Sequence, residues 1–217
     1  NIPLFTRDGQ FGARVQNGED AAAARYIFTR LEKITRYIFR EEDDVLLERV
    51  IDDGDIVEPK FYVPILPVVL INGCEGIGTG WSCSIPAFNP LDVSNLVKKW
   101  LEKENIAEED CKIVPWYRGF TGEIKDLGKG KFLTSGVCQK EGKDVVVSEI
   151  PVGMSIQSFY NKLQELLKDK QIKDLKNLSG ANKPMFIINE SNDGMICSVD
   201  SLKLTSTLNI NNMVMFD

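Results

Sequence analysis

The sequence points to an α+β fold, because strand-like and helix-like segments are mixed along it without a regular β-α alternation. Two amphipathic helices stand out, opening near Asn89 and Ser155, and the other apolar runs are mostly short and read as extended chain or single turns. The longest apolar run, Tyr62 to Ile71, is about half of a membrane span and contains two prolines, so it is not a transmembrane helix. With 217 residues, 43% hydrophobic and 27% charged, the chain has the composition of a soluble globular protein and the length of one large domain or two small ones.

The opening is punctuated by glycines, Asp8-Gly9-Gln10-Phe11-Gly12 and then Asn17-Gly18, which read as turns. Asp20 is placed to N-cap a short helical turn, Ala21 to Ala24. Arg25 to Thr29 is aromatic and β-branched and reads equally well as extended chain or continued helix. Leu31, Ile34, Thr35 and Ile38 then recur at helical spacing, with Lys33, Arg36 and Arg40 on other faces. Asp44 opens another short amphipathic turn, Val45 to Ile51. Pro59 to Ile71 reads as extended chain interrupted by Pro64 and Pro67, and a glycine cluster follows at Gly73, Gly76, Gly78 and Gly80.

Asn89-Pro90 starts the clearest helix, an N-cap followed by proline at the first helical position, with Val93, Leu96, Val97, Trp100 and Leu101 as its buried stripe. Lys131 to Cys138 and Asp144 to Ile150 read as a hairpin about Glu141-Gly142. Ser155 caps a second helix that turns Ile156, Phe159, Tyr160, Leu163, Leu166 and Leu167 inward. Met185 to Ile188 and two runs between Met195 and Met215 complete a strand-rich end. A division of the chain is expected near residue 58, where an acidic stretch ends.

There is no histidine, which excludes Ser-His and Cys-His nucleophilic pairs, histidine general bases and His-ligated zinc. The cysteines, Cys74, Cys83, Cys111, Cys138 and Cys197, are odd in number and form no C-x-x-C pair, so they read as reduced thiols of an intracellular protein. The net charge of −6 is unevenly spread. Residues 1–40 carry seven Lys/Arg against four Asp/Glu, residues 41–58 one against nine, and the remainder 18 against 19. The acidic total weighs weakly against nucleic-acid binding, yet a locally positive segment can face phosphates while the acidic stretch faces solvent. The chain has neither an initiator methionine nor a secretory leader and stops in mid-pattern, which reads as a piece of a longer protein.

Read from its residues alone, Asp20-Ala21-Ala22-Ala23-Ala24-Arg25-Tyr26 is a small-residue turn followed by a buried tyrosine and a solvated arginine. The four alanines and the glycine turns upstream do, however, permit close approach of another large surface. The acidic cluster Glu41 to Asp44, with Asp52, Asp53 and Asp55, reads as a solvated helix edge and loop, not a metal site. Gly76-Ile77-Gly78-Thr79-Gly80 follows an apolar strand, but its spacing is wrong for a dinucleotide-binding loop and Trp81 to Pro86 is no helix start. A structural turn is its plain reading, and a nucleotide-binding oxidoreductase is disfavoured.

Gly9-Gln10-Phe11-Gly12, Asp20-Ala21-Ala22 and Ala24-Arg25-Tyr26-Ile27 form a first block of recognisable residues. Val57-Glu58-Pro59 with Tyr62 to Pro67 forms a second, and Ile71-Asn72-Gly73 with Glu75 to Ser82 a third that Ile85-Pro86 and Phe88-Asn89-Pro90 extend. Pro115 to Gly122 and Asn212-Met213-Val214 follow. Taken in order, these blocks resemble the breakage-reunion core of type IIA DNA topoisomerases, nearest to the eukaryotic topoisomerase II pattern.

The resemblance implies the end of a winged-helix domain, residues 1–58, followed by an α+β tower domain, residues 59–217. It makes Tyr26 the nucleophile that becomes joined to a 5′ phosphate of DNA, and Arg25 the stabiliser of the transition state. A phenol, with a reference pKa near ~10, attacks weakly at neutral pH but leaves well on resealing, so proton and charge both need help. A permanently charged guanidinium supplies the second by gripping phosphoryl oxygens. Ile77 becomes an apolar wedge that kinks the duplex, and Arg14, Lys203, Thr205, Asn211 and Asn212 become DNA contacts.

Mg²⁺ and ATP are implied for the full-length enzyme, both bound by domains outside this stretch, which alone should not cut DNA. The implied partners are double-stranded DNA and a second copy of the full-length enzyme, joined through elements outside this stretch, so that the stretch alone is expected to be monomeric. No membrane is implied. The eukaryotic-type motifs imply the nucleus, with a viral or organellar origin left open. The alternative is a non-catalytic DNA-binding or scaffold module of the same fold. Glu19 departs from the lysine common in eukaryotic relatives, Pro151 to Ser155 lacks their arginine and tryptophan, and Leu167 to Asn189 matches weakly.

Overall fold

In the computed structural model, which describes residues 1–102, 107, 111–190 and 197–215, the chain first doubles back on itself. β1 (Phe5–Asp8) pairs antiparallel with β2 (Phe28–Leu31), closing the neck of the glycine-punctuated loop, and a single 3-10 turn, Ala24–Tyr26, ends that loop. Asp20 does not cap a helical turn. Its Oδ1 accepts from Ala13 N at 2.8 Å and its Oδ2 from Gln10 Nε2 at 2.8 Å, while the turn begins after Ala23 with no side-chain cap. A short carboxylate in a loop gains by satisfying nearby donors wherever they lie, and here two lie behind it.

The helical spacing from Leu31 to Ile38 yields only one turn, α1 (Thr35–Ile38), because Leu31 is committed to β2 opposite Phe5. A 3-10 turn follows at Glu41–Asp43. The amphipathic turn expected over Val45 to Ile51 is replaced by a hairpin, β3 (Arg49–Asp52) with β4 (Asp55–Pro59). Asp53 and Gly54 at its tip have φ of 49° and 92°, the doubly left-handed turn that Asp-Gly favours. The chain then runs irregularly to Pro67, where α2 (Val68–Asn72) begins and carries Ile71 into full burial.

The glycine cluster forms a second hairpin, β5 (Cys74–Gly78) with β6 (Trp81–Ile85). Its root is Gly73, at φ 73°, where a Cβ would lie 2.7 Å from Ile85 O, so only glycine fits. α3 (Pro90–Glu102) starts where the sequence places it, with Asn89 Oδ1 accepting from Leu91 N at 2.9 Å. Its stripe is not buried throughout: Val93 packs with Ile71 and Phe88, whereas Trp100 and Leu101 are exposed. The five residues of α2 are too few to cover the thirteen of α3.

β7 (Glu123–Gly128), β8 (Lys131–Ser135), β9 (Val137–Glu141) and β10 (Asp144–Glu149) follow in succession. After them come α4 (Ile156–Lys168), β11 (Ile172–Asn177), β12 (Phe186–Glu190) and β13 (Thr205–Asn209). They build two antiparallel sheets, ordered β11-β12-β10-β9 and β13-β8-β7. β9 and β10 are the hairpin expected about Glu141-Gly142, but the strand expected from Lys131 to Cys138 breaks at Gly136. A Cβ there would collide with Glu149 O, so β8 joins one sheet and β9 the other.

α4 covers the four-stranded sheet, its Ile156, Phe159 and Leu163 packing against Val145, Val147 and Phe186. Phe159 and Phe186 meet edge to face with centroids 5.2 Å apart. Ser155 caps the helix, its Oγ accepting from Ser158 N at 3.0 Å. Met195 and Ile196, where the first closing run was expected, lie outside the described residues. The mixture of helices with antiparallel hairpins is the α+β class that the sequence predicts.

Candidate functional site

Tyr26 ends the 3-10 turn, held by Tyr26 N donating to Ala23 O at 2.9 Å, and one residue later the chain enters β2. The ring is 64% exposed, so the buried-tyrosine reading fails. Gly9 lies directly behind it: a Cβ at Gly9 would come within 2.9 Å of Ile27 Cγ2 and 3.2 Å of Tyr26 O. Gly12 packs on Gly18 in the same way, its Cβ falling 2.6 Å from Gly18 Cα. These two contacts, the Asp20 bonds and Ala22 N to Gln10 O at 2.9 Å fix the loop that presents the tyrosine.

Arg25 lies over that ring, with Cζ 4.7 Å from the centroid, and has no ion pair among the described residues. An exposed cation–π contact is worth about 0.5–1 kcal/mol, whereas a hydrogen bond to a charged oxygen is worth about 1.5–3 kcal/mol. A phosphate reaching the tyrosine would therefore draw the guanidinium off the ring. The arrangement brings an accessible hydroxyl and an uncommitted cation to one surface.

Arg14 is not such a cation. Its Nη2 meets Glu149 Oε1 at 2.6 Å and Ile150 O at 3.0 Å, so unlike Arg25 it already has an internal anionic partner. Of the other basic residues in the first 40, Arg36 pairs with Asp44 and Arg40 with Glu42, both on the surface. Arg7, Arg30 and Lys33 have no ion pair among the described residues.

Ile77 stands on the second hairpin opposite Ser82, 88% exposed, with Trp81 exposed at the tip. A Cβ at Gly76 would meet nothing within 4 Å, so no crowding inside the chain demands that glycine. The hairpin is braced by the end of the chain: Asn212 Nδ2 donates to Ser82 Oγ at 2.7 Å, and Ser84 N to Asn212 O at 2.9 Å. Its root is clasped to the start of the chain. Ile2 N donates to Asn72 Oδ1 at 2.8 Å, and Asn72 Nδ2 to Ile2 O at 2.9 Å, three residues before β1.

The polar residues of the closing stretch stand in different local settings. Asn212 is occupied by the hairpin, Thr205 is half-buried opposite Ser135, and Asn211 lies exposed beside Gly130. Lys203 is exposed in the turn ahead of β13, at φ 50°. Glu149 is the residue that sequence reasoning passed over. The alternation Val145, Val147, Glu149 along β10 places it on the buried face, and that pattern was readable.

The described residues do not fit a bound metal ion, for no group of three or more His, Cys, Asp and Glu is placed to hold one among them. In the acidic stretch the Arg40 guanidinium, by hydrogen bonding, holds the Glu42 carboxyl down to about 2, which marks a surface ion pair and not a ligand shell. Of the cysteines, Cys74 and Cys111 are exposed, while burial first and Glu190 second push the Cys197 thiol up to about 11. Because the thiolate is the reactive form, iodoacetamide at pH ~8 should label Cys74 and Cys111 at least about 10-fold faster than Cys197. Peptide mass spectrometry over a time course reads this, and equal rates would refute it.

The family model for the A-type subunit of DNA gyrase/topoisomerase IV matches residues 1–217. The chain is 37% identical over 227 residues to DNA topoisomerase 2 of Penicillium chrysogenum, covering 100% of this chain and 14% of that protein. It is 38% identical over 223 residues to DNA topoisomerase 2 of Invertebrate iridescent virus 6, covering 100% of this chain and 19% of that one. Among solved structures it superposes on the Plasmodium falciparum topoisomerase II DNA-binding, cleavage and re-ligation domain with a TM-score of 0.87 at 37% identity. That match covers 100% of this chain and 30% of the other. The chain thus spans less than a fifth of the length of these two curated relatives.

Proposed function

Because the chain belongs to the family of A-type DNA gyrase/topoisomerase IV subunits, we propose that it forms the tyrosine-bearing part of a type II DNA topoisomerase. Tyr26 Oη attacks a backbone phosphorus of duplex DNA, forming one P–O bond as the bond to the 3′ oxygen breaks. The 5′ phosphate stays on the protein as a tyrosyl ester, the phenolic proton passes to solvent, and the 3′ oxygen leaves with a proton. One phosphodiester replaces another, so the reverse attack by the 3′ hydroxyl reseals the strand. Arg25 holds the negative charge on the non-bridging oxygens, a task suited to a planar, permanently charged group.

The observation that carries this reading is the exposed Tyr26 ring with Arg25 at 4.7 Å and no competing ion pair among the described residues. The direct test is to denature the complete enzyme while it is acting on DNA and map the phosphorylated residue. A tyrosyl phosphate on Tyr26 supports the reading, and stable DNA binding with no covalent product supports a non-catalytic module of the same fold.

In the complete enzyme we place residues 1–58 at the end of a winged-helix domain and residues 59–217 in a tower domain. Two copies would cut the two strands through their symmetry-related tyrosines, and a second duplex would pass through the gap. Mg²⁺ and ATP would be held by residues outside this stretch, and the nucleus is the setting that the eukaryotic-type motifs favour. No helix among the described residues is long and apolar enough to cross a membrane.

Ile77 is the wedge in this proposal, inserted between base steps from a narrow hairpin whose glycines allow the backbone to reach the groove. Unstacking a step costs a few kcal/mol, and contacts with bent DNA offset it. Ile77→Ala should then lower the bent fraction of a doubly labelled duplex several-fold by fluorescence transfer. Unchanged bending would remove Ile77 from that role.

A further inference from the structure

Glu149 is 2% exposed, yet both its oxygens are used. Oε1 accepts from Arg14 Nη2 at 2.6 Å and Ile150 N at 2.9 Å, and Oε2 from Thr121 N at 3.1 Å and Thr121 Oγ1 at 3.2 Å. Arg14 is the one cation among these partners, and it comes from the loop that presents Tyr26. A buried carboxylate needs such a partner, because an unpaired charge in a protein interior is strongly unfavourable. The pair therefore ties the Arg14 end of the loop to β10.

The loop is seated at the same corner by its backbone. Ile156 N donates to Arg14 O at 3.2 Å and Gln157 N to Val15 O at 3.0 Å, so the first free N–H groups of α4 are capped by loop carbonyls. Val15 N donates to Ala181 O at 3.2 Å, and Asn17 Nδ2 to Gly153 O at 2.8 Å. From there Ala13 N reaches Asp20, Gly12 abuts Gly18, and Ala22 N reaches Gln10 O, which leads to the turn carrying Tyr26. The far corner of a loop without slack is thus pinned to the sheet, and its near corner bears the hydroxyl.

We infer that Glu149, acting through Arg14, is a positioning residue for the Tyr26 hydroxyl. This inference rests on Tyr26 being the nucleophile. A reacting atom displaced by about 1 Å can slow a reaction about 100-fold, whereas DNA binding, spread over many contacts, barely notices such a shift. The pair governs the chemical step and not the affinity.

The test uses the complete enzyme with saturating duplex DNA, reading the rate of denaturant-trapped adduct and, separately, duplex affinity. Glu149→Gln should slow adduct formation about 10- to 100-fold with affinity nearly unchanged. Arg14→Ala should behave alike, and Arg14→Lys should restore most of the rate, because only Nη2 of Arg14 meets the carboxylate. Rescue by a lysine, at unchanged affinity, is not expected of a residue that merely fills space.

Should Glu149→Gln not fold, the pair Arg14→Met with Glu149→Gln removes both charges together and is read in the same assay. Adduct rates within about two-fold of the parent in these variants would overturn the inference, provided Tyr26→Phe forms no adduct. An adduct formed by Tyr26→Phe would instead overturn the assignment of the nucleophile.

Discussion

Tyr26→Phe in the complete enzyme is expected to abolish the covalent protein–DNA adduct while leaving the fold and the duplex affinity in place. The hydroxyl is at the surface and has no hydrogen bond among the described residues, so its loss leaves no buried donor unsatisfied. Surface substitutions of this kind usually shift stability by less than about 0.5 kcal/mol. The ring remains, and with it the cation–π contact that seats Arg25. What disappears is the atom proposed to form the new P–O bond, and no histidine is present to activate a substitute. Gel separation after denaturation reads the adduct, and anisotropy with labelled duplex reads binding. An adduct that persists in this variant would show that another residue attacks the phosphate.

Arg25→Ala carries the second largest expected effect, a fall of roughly 10²–10³-fold in the cleavage rate, equal to about 2.7–4 kcal/mol of transition-state stabilisation. The guanidinium has no ion pair among the described residues, so its removal should leave stability nearly unchanged. Arg25→Lys should fall between the two, since an ammonium supplies the charge without the planar fork that can bind two phosphoryl oxygens at once. The discriminating measurement is single-turnover cleavage at saturating DNA. Equal cleavage by Arg25→Ala and the parent would leave Arg25 as a general phosphate contact with no part in the chemistry.

The two arginines show how far the sequence can be read. Arg14 and Arg25 lie on one short loop and carry identical side chains, yet Arg25 rests over an exposed ring and Arg14 is committed to a buried carboxylate 135 positions away. Nothing local to Arg14 signals Glu149. On the other side of the pair, the alternation of β10 did place Glu149 inward, and a buried carboxylate demands a partner, so half of the interaction was legible. Asn212 tells the same story, its side chain joined to Ser82 across 130 positions.

Local signals fared well where local forces decide. Asn89 and Ser155 cap their helices as short side chains with acceptor oxygens should, and the core stripe of α4 follows its 3.6-residue period. Asp53-Gly54 was an equally local signal for a hairpin, and it was overlooked because the apolar spacing around it also fits a helical turn.

By itself the sequence determined the mixed fold class, the capped starts of α3 and α4, the exclusion of histidine chemistry and the blocks that mark the family. These rest on residue type and on neighbours within a turn or two, which travel with the chain wherever it folds. Only the tertiary structure decided that Tyr26 is open to solvent, that Arg25 has no ion pair among the described residues, and that Arg14 and Asn212 bond to Glu149 and Ser82. Those outcomes depend on which groups compete for each donor or acceptor in space, and packing chooses the competitors.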